Sequence, residues 1–318
     1  MKKKNIPAAI LLVVGMFVIA EYIENKEIIF PEISALALGA WVMEKTSWGN
    51  NPLHFWVSPT LAALTGWAIM NFFPYTPFLM IAVAFILVVI QLELIGSSVF
   101  PSFSAAILPI ILHSDSWYYP LSVCILTLII AVDKKIMNDI DRKKIASDGV
   151  PNNAQGKCEN EKPREGFIFW VKLLIGIMLV SALALGFDAI YMITPPLFVL
   201  FVEMSRTNSP LPAKAGLVFI LVVTAAFSGV FWLYLIYNIL HWPVWIAAGL
   251  ATAWVFLLFH CIRLPFPPAA AITLVPMIIP MESIGMYPWH VLLGSASFII
   301  ISLLLFQRPQ LPTIKHLG

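Results

Sequence analysis

The chain has 318 residues, of which 60% are hydrophobic and only 11% charged, with a formal net charge of +2 and a mean hydropathy of +0.89. Soluble domains run at about 45–50% apolar and 25% charged, so this composition excludes an ordinary soluble globular protein and points to lipid as the solvent.

The sequence predicts twelve apolar elements, six in each half. In the first half they cover roughly 6–23, 28–43, 54–73, 76–95, 99–112 and 117–132; in the second, roughly 167–187, 189–204, 213–237, 242–262, 266–279 and 286–306. The expected fold is an all-α polytopic integral membrane protein built as two parallel, pseudo-symmetric repeats of about six hydrophobic helices. Residues 1–132 form the first repeat, 133–166 a polar cytoplasmic linker, and 167–318 the second repeat. The amino-terminal Lys3-Lys4 and apolar run reads as the first span rather than a signal peptide, because no small-x-small cleavage site precedes Glu21 and 167–187 is its counterpart.

Basic residues set the expected orientation. If all twelve elements cross, seventeen of the nineteen Lys and Arg fall on the side of the amino terminus, with Lys26 opposite and Lys172 within a span. That bias predicts a multi-pass protein of the cell (inner) membrane with both termini cytoplasmic. An even number of crossings per half makes the repeats parallel, related by an axis along the membrane normal.

Short Pro-opened elements recur at matching places. Pro31 precedes Pro101 by 70 residues and Pro196 precedes Pro267 by 71, while Phe100-Pro101-Ser102-Phe103-Ser104 parallels Phe266-Pro267-Pro268-Ala269-Ala270. Ala62-Ala63-Leu64-Thr65-Gly66 likewise parallels Ala225-Ala226-Phe227-Ser228-Gly229. Paired, broken hydrophobic segments mark the binding site in transporter repeats, since unwound backbone survives in a bilayer only where protein or a wet cavity satisfies it. Pro is pre-organised for a first helical turn, and a helix start presents free N–H groups that suit an anion or polar solute.

The candidate substrate-binding residues are therefore Pro31, Glu32, Pro101, Ser102, Ser104, Pro195, Pro196, Arg263, Phe266, Pro267 and Pro268. Glu32, Ser102 and Ser104 are expected to face a polar cavity with Arg263 at its cytoplasmic mouth, and the elements at 99–112 and 266–279 to approach one another at the pseudo-axis. Glu93 and His260, seven to eight residues before Pro101 and Pro267, form a candidate proton relay. Glu203 and Arg206, three apart on one helix, are expected to pair.

Arg263-Leu264-Pro265-Phe266-Pro267-Pro268-Ala269-Ala270-Ala271 resembles the R-x-x-H-P-P-A-G-A signature of the HPP family of integral membrane proteins. Pro195-Pro196-Leu197 and Ser209-Pro210-Leu211 resemble the same family's P-P-L and S-P-L segments, so the likeness covers roughly 189–280. The family's His is Phe266 here and its Gly is Ala270. Relatives in plants and cyanobacteria are associated with nitrite movement, so the resemblance implies a permease or channel for a small anion, built here from two fused units.

The expected partners are the lipid bilayer, a small anion or small polar solute, and a further copy of the chain. The sequence holds no ATP-binding, nucleophile-elbow or dinucleotide motif and no metal-ligand spacing. It therefore points to no enzyme, cofactor, metal or nucleic acid. A non-transporting scaffold or subunit of a larger membrane complex is the alternative.

Overall fold

The computed structural model describes residues 3–43, 46–73, 75–147 and 165–306. Among these every regular element is helical and none is a strand. The first half comprises α1 (Ile6–Tyr22), α2 (Glu32–Ala37), α3 (Pro52–Phe72), α4 (Pro77–Ile95), α5 (Pro101–Leu112) and α6 (Tyr118–Ser147). The second comprises α7 (Phe167–Gly186), α8 (Pro195–Ser205), α9 (Ala215–Leu233), α10 (Val244–Ile262), α11 (Pro267–Leu274), the short α12 (Met281–Ile284) and α13 (Tyr287–Phe306).

Among the described residues, five helical stretches are long and apolar enough to cross a membrane: Pro77–Ile95, Phe167–Gly186, Pro212–Ile239, Val244–Ile262 and Tyr287–Phe306. This is the build of a helical multi-pass membrane protein. Burial divides the helices into two classes. The long ones are apolar all round yet largely exposed, with only 33% of α4 covered. Leu79, Ile86, Ile90 and Leu94 look outward from it, as side chains facing lipid do.

The short helices are the reverse. Every residue of α2, α8 and α11 is buried, as is all of α5 up to Ile111. At 1.5 Å per residue, the 12-residue α5 covers about 18 Å, short of the roughly 30 Å hydrocarbon core. Hydrophobicity alone would have let these segments lie anywhere in the bilayer. Their ends, where backbone groups lose their helical partners, require that they lie inside protein.

The approach to each is built alike. α1 ends with Glu24 in the left-handed conformation (φ 55°), where Asn25 N–H reaches Ala20 O and Glu24 N–H reaches Glu21 O. α7 ends the same way at Asp188 (φ 53°), with Ala189 to Ala184 and Asp188 to Leu185. Both are Schellman closures made by a residue other than Gly. A short 3-10 turn then leads to Pro31 at the cap of α2 and to Pro195 at the first turn of α8.

The four short helices form a closed ring in which α2 packs on α5, α5 on α8, α8 on α11 and α11 on α2. Within it α5 and α11 lie across from each other and make no substantial contact, so the direct approach expected from the sequence is replaced by contact through α2 and α8. Around the ring α3 covers α5 and α9 covers α11, each through a glycine: a Cβ at Gly66 would run into the Ala106 carbonyl, and one at Gly229 into that of Thr273. Lipid gives helices no hydrophobic drive toward each other, and small residues let their backbones close up.

Two prolines inside this core leave a debt that two tyrosines settle. Pro109 has no N–H to offer Ala105 O, and Pro276 none for Ile272 O. The Tyr119 hydroxyl donates to Ala105 O at 2.8 Å, and the Tyr287 hydroxyl to Ile272 O at 2.9 Å. Both tyrosines are fully enclosed.

The helix α6 runs 30 residues to Ser147, about 45 Å, so the polar segment expected to begin at 133 as a connector starts as helix. Residues 148–164 of that segment lie outside the described residues.

Removing either hydroxyl strands a buried carbonyl. Tyr119→Phe is expected to lower stability by about 1–3 kcal/mol, and Tyr287→Phe by a similar amount. Adding Pro109→Ala to Tyr119→Phe should restore much of the loss, because the new amide can serve Ala105 O. Denaturant unfolding of purified protein in detergent, read as a double-mutant cycle, measures both effects.

Candidate functional site

Buried polar groups gather where the ring closes. Glu32 is 1% exposed, and neither of its carboxyl oxygens has a hydrogen-bond partner; the same holds for the hydroxyls of Ser102, Ser104 and Thr194. Ser104 approaches the Glu32 carboxyl without making a well-aligned hydrogen bond, and Tyr119 and Tyr287 lie within electrostatic range of it. Thr194, the residue before Pro195, faces Tyr287 in the same manner.

Local sequence explains these positions. Pro31 and Pro101 start α2 and α5, so Glu32, Ser102 and Ser104 fall in opening turns enclosed by the ring. Thr194 caps α8 with extended backbone, as a residue before Pro must. Most buried polar atoms find partners; isolated exceptions occur elsewhere, at Trp41, Ser58 and Ser181, and Glu32 is the carboxyl among the unpartnered groups.

Two cavities flank the ring. One, of about 630 Å³, is lined by Met43, Ser47, Glu203, Arg206, Ser209 and Phe266, among others, and lies at the end where residues 165–166 enter the second half. The other, of about 660 Å³, is lined at the opposite end by Lys26, Glu27, Tyr119, Asp188, Tyr191 and Pro280, among others. The chain's connections sort between them: Met43, Thr46, Ser47, 206–211 and 264–267 border the first, while Lys26, Glu27, Ile29, 112–114, Asp188, Ile190, Tyr191 and 278–280 border the second.

Ser104 lies beside Glu32 and Ser102 is buried two residues before it on α5, but none of the three faces a cavity as expected from the sequence. Pro31, Pro101, Pro195 and Pro196 are likewise buried and line neither cavity. Phe266 and Pro267 border the first cavity, and Pro268 is buried behind them. Arg263 is exposed, terminates α10 in the left-handed conformation (φ 56°) and borders neither cavity.

The cation at the mouth is Arg206. It pairs with Glu165 at 3.6 Å, donates to Ser47 O at 3.3 Å and lies 5.2 Å from the centre of the Phe100 ring. Glu203 does not pair with it as expected. Its carboxylate accepts from the Ser47 hydroxyl at 2.6 Å and the Trp48 indole at 2.7 Å, fastening the connection after α2 to α8. Trp48 is buried against Gly39, where the helix after α2 widens to a π turn (Leu38–Val42); a Cβ on Gly39 would meet the indole.

Glu93 and His260 do not form a relay. Glu93 accepts from the Trp170 indole at 3.0 Å on α7, whereas His260 is exposed near the end of α10, and their helices pack on different neighbours.

Tyr119, Tyr287, Thr194, Trp48 and Arg206 are the site residues that the motif reading passed over. A signal for the tyrosines existed: Pro109 and Pro276 lie 167 residues apart, each followed by a Tyr ten or eleven positions on. Among the described residues no group of three or more His, Cys, Asp or Glu could hold a metal ion. No protein-family model, curated protein or solved structure matches the chain.

Cutting the Glu203 tether leaves the enclosed Trp48 N–H unpaired. Glu203→Ala should cost about 1–3 kcal/mol in unfolding free energy, and Glu203→Gln, which keeps an acceptor oxygen, distinctly less.

Proposed function

We propose that this chain is a membrane permease for a small polar solute, working through the polar cluster between its two cavities. The single observation carrying this reading is the arrangement itself: a sealed set of unpartnered hydroxyls and a carboxyl, flanked by a cavity toward each end. A structural core gains nothing by retaining unpaired polar groups, which cost free energy when buried. A carrier uses such groups when a solute reaches them.

The internal duplication belongs to the same proposal. Both halves bear the same non-Gly Schellman closures, the same glycine contacts and the same proline–tyrosine repair. The contacts between halves also match in pairs, α1 on α10 with α7 on α4, and α2 on α11 with α8 on α5. The first cavity is read as cytoplasmic because Arg206, Lys214 and Arg263 lie on connections at its end and Lys26 at the other. The chain is thereby read as an inner-membrane protein with both termini inside.

Small anions such as nitrite and nitrate are the first solutes to test, a choice that rests on the likeness of residues 263–271 to the HPP signature. The cavity linings favour a second reading. Glu165 and Glu203 outnumber Arg206 in one, and Glu27 and Asp188 outnumber Lys26 in the other, a balance that suits a small cation.

Uptake of nitrite, nitrate and methylammonium into proteoliposomes tests the proposal. For an anion, Arg206→Gln should slow uptake by about tenfold at low ionic strength and less at high salt, Arg206→Lys should retain most of it, and Arg263→Gln should change little. Absence of saturable uptake of any small solute by correctly inserted protein would remove the permease reading and leave a scaffold role.

A further inference from the structure

Glu32 faces no cation. Of the elements packed on α2, neither α5 nor α11 bears a titratable side chain, while α6 presents Tyr119 and holds its buried Lys134 fifteen residues further along, over the Phe55 ring. Beyond these, Tyr287 of α13 lies in range, and the acidic residue of α1, Glu21, is exposed at that helix's end. Both tyrosine hydroxyls are already committed to the carbonyls of Ala105 and Ile272, so they cannot donate to the carboxyl. Its counterpart beside Pro196 is Leu197, so nothing in the architecture demands an acid there.

An ionised carboxylate without a counter-charge is among the costliest groups that a membrane interior can hold. Burial away from any cation therefore favours the neutral acid in the closed arrangement. A neutral acid is also the form that can donate to a solute oxygen, alongside Ser102, Ser104 and Thr194. Each cavity comes near the sealed carboxyl: Tyr119, within range of it, borders one, and Pro267, at the start of the helix packed on α2, borders the other.

We propose that Glu32 is an exchangeable proton site whose carboxyl takes a proton from one cavity and releases it to the other in step with the solute held by Ser102, Ser104 and Thr194. The balance is simple: one proton from water joins a carboxylate oxygen on one side and returns to water on the other, with no redox change. This rests on the permease reading. It adds that transport is tied to the proton gradient through a single residue of the first half.

The test uses the full chain in nanodiscs and in proteoliposomes. Infrared difference spectra between wild type and Glu32→Gln at neutral pH should show a protonated-carboxyl stretch in the wild type alone, shifting in D2O, titrating with pH and indifferent to sodium. Ser104→Ala should keep that band and move its midpoint, giving a check independent of the Glu32 variant. No such band, a band that resists deuterium exchange, or one abolished by sodium would overturn the proposal.

In proteoliposomes with a trapped pH dye, a nitrate gradient should move protons with wild-type protein, and Glu32→Gln should lose that movement. Nitrate flux with equal proton movement in both would also overturn it, leaving the permease intact. If no nitrate moves with wild-type protein, the small-anion reading fails on its own, and the infrared result still decides whether Glu32 holds an exchangeable proton.

Discussion

Everything in this molecule depends on satisfying backbone where neither lipid nor water can do so. Four short helices begin and end inside the protein, and two of their carbonyls lose their natural donors to Pro109 and Pro276. Tyr119 and Tyr287 supply the missing bonds from α6 and α13. With those donors in place, irregular backbone can sit deep in the bundle at little cost. Without them, a straight helix would be the only stable answer and no polar centre could form.

The two halves of the chain carry the buried polar residues unequally. The first supplies Glu32, Ser102 and Ser104; the matching places in the second hold Leu197, Pro268 and Ala270. The second half brings Thr194 to the cluster and otherwise lines it with apolar surface.

Much of this was legible in the chain. Composition and the lengths of apolar runs gave the helical membrane class, and the Pro-opened segments at 31, 101, 195–196 and 267–268 marked helices that the structure buries completely. Glu32 and the two serines could be singled out because a charge or hydroxyl following Pro in an apolar run has few bland explanations. Arg263 misled because its place in the sequence, just before a Pro-opened helix, says nothing of direction: the left-handed turn at φ 56° carries it outward. Arg206 was hidden for the opposite reason, since helical spacing made Glu203 its obvious partner while Ser47, Trp48 and Glu165 came from distant segments. Glu93 and His260 matched by offset from a Pro-opened segment, but a matching offset is not proximity.

The ring also bears on how the chain is made. α2 rests on α11 and α5 on α8, so neither short helix of the first half has its full complement of neighbours until the second half has been inserted. As synthesis proceeds, the segment bearing Glu32 must wait, with its carboxyl unenclosed, while more than two hundred further residues emerge. Insertion machinery or bilayer water would have to shelter that acid in the interval. A premature stop anywhere before α11 would leave a polar half-helix in the membrane with no partner to receive it, a form that quality-control proteases are equipped to recognise.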